Sequence, residues 1–177
     1  MLSYFSDVKI FSIGIVCLLA AQTFAAEKLV GVINNRTISA YRLADLEAAK
    51  KEAKAQNKPL MVIASKPTYL TSPSGKITGT GSGNATCHAL AAFDGRTVLV
   101  FIDAFAENHQ GPAIIDQALH TPNPHYTPPT VVFVDPDVTR VLKVLTFEQN
   151  FETRKENFKN TILELPKLLE APKEPGK

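Results

Sequence analysis

This sequence contains no tryptophan and very little cysteine. Its two cysteines are Cys17, which lies in an apolar N-terminal stretch, and Cys87. A chain cleaved after that stretch would retain Cys87 alone, and one cysteine cannot form a disulfide within its own chain. This excludes a fold that is held together by internal disulfides. For an exported protein, the alternatives are a buried thiol or a disulfide-linked dimer through Cys87.

The chain also has almost no excess of charge of either sign. Nineteen Lys and Arg residues stand against 17 Asp and Glu residues, which gives a formal net charge of +2. The basic residues are interleaved with acidic ones along the chain rather than clustered. Nucleic-acid-binding proteins carry a concentrated basic surface, so we expect no nucleic-acid partner.

The N-terminus has the three parts of a secretory signal peptide. A short polar opening with Lys9 precedes an apolar stretch over residues 10–21, and small residues at Thr23 and Ala25 allow cleavage after Ala25. The apolar stretch is shorter than the roughly 20 residues of a membrane span, and no other segment approaches that length, so we expect no stable membrane insertion after cleavage. The prediction is a secreted or periplasmic protein. A retained anchor and lipid attachment at Cys17 are the alternatives.

Beyond residue 25, segments typical of strands and helices alternate. We predict a domain over residues 26–171, with a loop insertion over 65–83 and a flexible tail over 172–177. One predicted helix is capped by Ser39 and ends before Pro59, and Pro166 should kink or end the last helix. The predicted strands are 28–33, 60–64, 97–102, 130–134 and 138–145, and the other predicted helices are 84–93, one opening at 111–112, and 151–169.

The predicted order of elements is β-α-β-α-β-α-β-β-α. Parallel neighbouring strands need crossover connections, so this alternation predicts an α/β fold with a mixed central sheet and helices on both faces. The last two strands, joined by a turn at 135–137, should form an antiparallel hairpin at one side of the sheet.

Two motifs accompany this order. Pro129 directly precedes the strand that begins at Thr130, and Cys87 is followed by His88, Ala89 and Leu90. Together with the element order, they resemble the thioredoxin fold superfamily over about residues 28–169. The resemblance implies that Pro129 occupies the family's cis-proline position and Cys87 the second position of its CxxC motif.

The chain also departs from the family's pattern. Asn84 stands where the family has its nucleophilic cysteine, and the family's active-site tryptophan is missing. Dithiol exchange needs an attacking thiolate and a resolving thiol, and Asn84 supplies neither. We therefore expect a redox-inactive binding or accessory protein. The alternatives are a monothiol thiol-disulfide oxidoreductase using Cys87 and a copper or zinc handling protein using Cys87 with His88 or His125.

The candidate functional residues follow from the resemblance. Cys87 is the catalytic candidate under the monothiol alternative, since the positive end of a helix can lower a thiol pKa. A protein partner or client is expected at the cis-proline face, beside the loop over 65–83. No cofactor is expected, and no metal-ligand set is assigned. The candidate binding residues are Asn84, His88, His125, Tyr126 and Pro129.

Overall fold

The computed structural model describes residues 26, 28–33, 35–65, 76–78, 85–103, 111–120, 129–146 and 148–170. The predicted signal peptide over residues 1–25 and the predicted tail over 172–177 lie outside these residues. In the part of the chain described, no helix is both long and apolar enough to cross a bilayer.

The described residues form strands and four α-helices in the order β-β-α-β-β-α-β-α-β-β-α. A single 3-10 turn, Leu43–Asp45, leads into the first α-helix. The strands are β1 (Leu29–Ile33), β2 (Arg36–Arg42), β3 (Leu60–Ser65), β4 (Lys76–Thr78), β5 (Val98–Asp103), β6 (Thr130–Val134) and β7 (Val141–Leu145), and the helices are α1 (Leu46–Gln56), α2 (Ala85–Phe93), α3 (Ala113–His120) and α4 (Phe151–Glu170).

All of these strands belong to one mixed sheet in the order β4-β1-β2-β5-β3-β6-β7. Six of them have five to seven residues, and the three-residue β4 extends the sheet beside β1. In the centre, β2, β5 and β3 run parallel. The strands β6 and β7 then continue the sheet in antiparallel pairings. The predicted mixed α/β sheet with a closing hairpin is confirmed.

Helices cover both faces of the sheet, as predicted. Within β3, Met61 and Ile63 belong to a buried cluster with residues of α2 and α4, whereas Leu60 and Val62 belong to a second cluster with α1 and α3. Successive residues of a strand point to opposite faces, so this alternation places α2 and α4 on one side and α1 and α3 on the other. The apolar run of β3 is buried along its whole length because both faces are covered.

The prediction that Ser39 caps a helix is wrong. Ser39 lies in β2, where it pairs with Val30 of β1. Ile33 of β1 pairs directly with Arg36 of β2, so a two-residue connection joins the strands, and its second residue, Asn35, has a φ of 62°. Such tight hairpins favour Asn because it tolerates the left-handed conformation. The helix begins only at Leu46.

Three further boundaries differ from the sequence prediction. The predicted loop over 65–83 contains strand β4, which pairs in parallel with β1. The last strand begins at Val141 because Asp135 accepts hydrogen bonds from the backbone N–H groups of Thr139 and Arg140, which holds the preceding residues in a turn. Helix α4 continues past Pro166 to Glu170, so the early stop is wrong as one of the two outcomes predicted for Pro166, and the kink stays a prediction.

Candidate functional site

Helix α2 gives its two neighbouring candidate residues different surroundings. Cys87 is 4% exposed and belongs to the core cluster that also contains Leu90 and Phe93. His88 is only partly buried and lines a groove between α2 and α4. Consecutive residues of a helix lie about 100° apart around its axis, which explains the separation. Cys87 and His88 therefore face different environments, one in the core and one in the groove.

Burial controls the chemistry of the Cys87 thiol. Removal from water raises the pKa of this thiol above its ordinary value, because a thiolate is disfavoured in apolar surroundings. The thiolate is the nucleophilic form, so a higher pKa and a buried sulfur both reduce reactivity. Cys87 forms no disulfide within the part of the chain described. Its environment is that of a structural thiol.

Polar residues collect where β3 and β5 end. The hydroxyl oxygens of Ser65 and Thr86 lie 2.8 Å apart, which joins the last residue of β3 to the first turn of α2. Both residues are 2% exposed. Asp103 ends β5 directly beside Ser65. The carboxyl ends of parallel strands are common positions for binding sites in α/β sheets, so this edge is a candidate contact surface.

The predicted binding residues are only partly covered by the described residues. Pro129 is half-buried and precedes β6, whose first residue, Thr130, pairs with Ala64 of β3. Pro129 therefore lies at the same edge of the sheet as Ser65 and Thr86. Asn84, His125 and Tyr126 lie outside the described residues, and their predicted roles stay predictions.

A groove of about 490 Å³ runs between α2 and α4 on the outer side of the core. Its apolar floor packs against the buried cluster, and two of its large apolar side chains are open to solvent: Phe151 is 50% exposed and Leu163 is 62% exposed. Its basic side chains come from both helices and from the turn after α2. The lining residues are His88, Ala91, Ala92, Arg96, Phe151, Arg154, Lys155, Phe158, Lys159, Ile162 and Leu163.

Arg154 is the unusual residue of this groove because it is only 7% exposed. Its guanidinium donates one hydrogen bond to the carbonyl of Glu148 at 2.7 Å and another to Nδ1 of His88 at 3.2 Å. It also lies over the Phe151 ring, 5.6 Å from the ring centroid. Its Nε is buried without a hydrogen-bond partner, and none of the ion pairs among the described residues involves Arg154.

The contact with Arg154 determines the protonation state of His88. A guanidinium can only donate hydrogen bonds, so Nδ1 of His88 must accept and the ring must be neutral. Partial burial, together with the positive charge of Arg154, lowers the pKa of His88. The His88 ring also meets Phe151 edge-on, with 5.3 Å between ring centroids. His88 therefore acts as a neutral acceptor that fixes the orientation of Arg154.

Among the described residues, no group of three or more His, Cys, Asp or Glu side chains could hold a metal ion. The arrangement found here instead combines an apolar surface with a buried cation. Sequence inspection missed Arg154, although a signal was available. Arg154 falls three residues after Phe151 and four before Phe158, in the apolar stripe of α4, where a charged residue is out of place.

A comparison of this chain with known protein families, with curated proteins and with solved structures finds no match.

Proposed function

We propose that this chain is a thioredoxin-like, redox-inactive binding or accessory protein that acts after export. Support for the fold comes from the topology: parallel strands β2, β5 and β3 continue into the antiparallel hairpin of β6 and β7, with two helices on each face. This is the arrangement that the thioredoxin resemblance implies. Support for export comes from the signal-peptide pattern of residues 1–25.

The observation that carries the redox-inactive part is the burial of Cys87. A monothiol oxidoreductase must present a thiolate to a disulfide, and the attack needs access to the sulfur. The sulfur of Cys87 is poorly accessible because it packs in the core, and little of it is thiolate because its pKa is raised. The same burial opposes a disulfide-linked dimer. Copper or zinc binding by Cys87 with His88 is not supported, because Cys87 faces the core whereas His88 faces the groove. In addition, Nδ1 of His88 accepts a hydrogen bond from Arg154, so the ring proton is on Nε2 and neither nitrogen offers a lone pair to a metal.

The protein surface that this function uses includes the edge formed by Ser65, Thr86 and Pro129. A partner at this edge would meet the end of β3 and the start of α2, and we propose that the predicted loop over 65–83, which follows β3 in the chain, contributes to the contact. We propose a protein partner or client here. Replacement of residues 66–75 by a Gly/Ser linker of the same length should abolish capture of that partner, while the chain can still reach from β3 to β4 at the other side of β1.

The decisive measurement is the reactivity of Cys87 toward a chromogenic disulfide reagent, in native buffer and in denaturant. The Cys17→Ser variant should be used, because Cys87 is then the sole cysteine. We expect slow reaction in the native protein and fast, stoichiometric reaction after unfolding. Fast native reaction at neutral pH, with a thiol pKa below the ordinary value of about 8.5, would overturn the proposal in favour of monothiol chemistry.

A further inference from the structure

The buried charge of Arg154 indicates that the groove normally holds a ligand. Moving a charge out of water is costly unless an opposite charge or sufficient hydrogen bonds accompany it. Among the described residues, the Arg154 guanidinium has two neutral acceptors, a backbone carbonyl and the His88 ring, and its Nε donates to no acceptor. None of the carboxylates in the described part of the chain pairs with it. The missing partner is a negative charge.

The other charged residues of the groove also suit a negatively charged ligand. Arg96, Lys155 and Lys159 also line it, whereas none of the described residues that line it is acidic. Lys155 pairs with Glu152 over 3.9 Å, and both side chains are well exposed. Such a contact is weak in water, so Lys155 keeps much of its positive charge available. An anion entering the groove would meet one buried and three outer cations.

The floor of the groove limits what kind of anion fits. Ala91, Ala92, Phe158 and Ile162 form an apolar surface that packs on the core cluster. Leu163, which lines the groove, leaves 62% of its surface exposed. A volume of about 490 Å³ falls within the roughly 300–1,000 Å³ typical of small-molecule pockets. A compact polar anion would leave this apolar surface in water, whereas an aliphatic chain would cover it.

We propose that the groove between α2 and α4 binds an amphiphilic carboxylate of the fatty-acid class, with Arg154 as the anchor for its headgroup. The aliphatic chain lies along Ala91, Phe158 and Ile162, and Lys155 and Lys159 flank the bound molecule. His88 is a positioning residue, since it holds the guanidinium and accepts nothing from the ligand. The inference rests on the proposed binding function and specifies a ligand for it, but it does not depend on the state of the Cys87 thiol.

The test is calorimetric titration of the full chain with decanoate and, separately, with decan-1-ol. We expect decanoate to bind once per chain and decan-1-ol to bind at least about tenfold more weakly, because a charge-assisted hydrogen bond supplies that difference. The Arg154→Met variant should weaken decanoate binding by about tenfold or more while leaving the affinity for decan-1-ol nearly unchanged. Lys167→Gln, on the same helix but outside the groove, is the matched control and should bind as the wild type does.

A second variant keeps the test decisive if Arg154→Met fails to fold. Leu163 is largely exposed, so Leu163→Asp should fold normally while placing a negative charge in the groove. We expect it to weaken decanoate binding by about tenfold. Unchanged decanoate affinity in Leu163→Asp, equal affinity for decanoate and decan-1-ol, or no decanoate binding at all would each overturn the inference. Binding of an acidic amphipathic peptide in place of decanoate would assign the groove to a protein partner instead.

The two proposals fail in distinguishable ways. Fast native reaction of Cys87 together with normal decanoate binding would refute the redox-inactive function and leave the ligand site standing. An unreactive Cys87 without decanoate binding would refute the ligand site alone.

Discussion

The side chains of Ser65 and Thr86 share a buried hydrogen bond that spans 2.8 Å between their hydroxyl oxygens. Ser65 is the last residue of β3 and Thr86 lies in the first turn of α2, so this bond ties the helix to the central sheet. Thr86 also directly precedes Cys87 in the chain. This contact, together with the core packing of Leu90 and Phe93, holds α2 and the groove residues that it carries.

Replacement of Thr86 by Val should lower the free energy of unfolding by roughly 1–3 kcal/mol, because the Ser65 hydroxyl would lose its buried partner. Urea denaturation would measure the change. The double variant Ser65→Ala/Thr86→Val is the control, and its loss should be smaller than the sum of the two single losses. Additive losses would mean that the two hydroxyls are not coupled.

Protonation of His88 should destabilise the fold. In the folded chain, burial and then the charge of Arg154 lower the pKa of His88, so the unfolded chain binds the proton more readily. This contribution to stability is complete above the unfolded pKa of about 6.5 and is lost as the pH falls through the folded value. Lys155 from α4 and Arg96 beyond α2 line the same groove and add to the positive surroundings.

Urea denaturation of wild type and His88→Gln between pH 8 and pH 5 would test this expectation. The two proteins differ only at residue 88, so the difference between their pH profiles isolates the contribution of His88. We expect the wild type to lose more of its free energy of unfolding than the variant does as the pH falls. Parallel pH profiles would contradict the assignment of His88 as a neutral acceptor.

Arg140 should stabilise the end of α4. Its guanidinium donates hydrogen bonds to the carbonyls of Leu168 and Leu169, at 2.8 Å and 3.2 Å, where the helix leaves its last carbonyls without internal partners. Arg140→Met should cost roughly 1–2 kcal/mol of stability and speed amide hydrogen exchange in the last turns of the helix. Arg140→Lys keeps the charge without the planar fork, so its effect should be intermediate. Unchanged exchange in both variants would contradict the role.

Asn57 ends α1 in the left-handed conformation, with a φ of 50° and a ψ of 48°. The N–H of Lys58 then donates to the carbonyl of Ala53, which closes the helix. Asn57→Gly should be neutral or stabilising, whereas Asn57→Ala should lower the free energy of unfolding by roughly 1 kcal/mol, since Ala tolerates this conformation poorly. Thermal melts of the two variants would check the order, and a more stable Ala variant would contradict it.

The sequence predicted the buried strands well because they carry continuous apolar runs. Strand β2 was missed since only alternate positions, such as Ile38 and Ala40, face one buried cluster, and its polar residues suit a helix start equally well. The hairpin turn before β2 was better evidence for a second strand than Ser39 was for the start of a helix. Strand β4 was missed for a different reason: it is three residues long, and its partner β1 is far away in the sequence.

The candidate site was predicted only in outline. The sequence singled out Cys87 and left its burial open, because a helix start and a core position favour opposite thiol chemistries. The contact between His88 and Arg154 joins residues 66 positions apart, and no local pattern specifies such a pair. The periodicity of the sequence does show that Arg154 occupies an apolar position of α4. A charged residue at such a position is a candidate functional residue.

Strand β7 forms one end of the sheet as described, and its centre carries Lys143, which pairs with Glu164 of α4. The outer edge of a terminal strand can accept a strand from another molecule and so begin aggregation. A lysine in the middle of that edge disfavours such pairing, because a neighbouring chain would have to bury or displace the charge. The ion pair to α4 keeps Lys143 in place, so we expect this edge to resist pairing with a second copy of the chain even at high protein concentration.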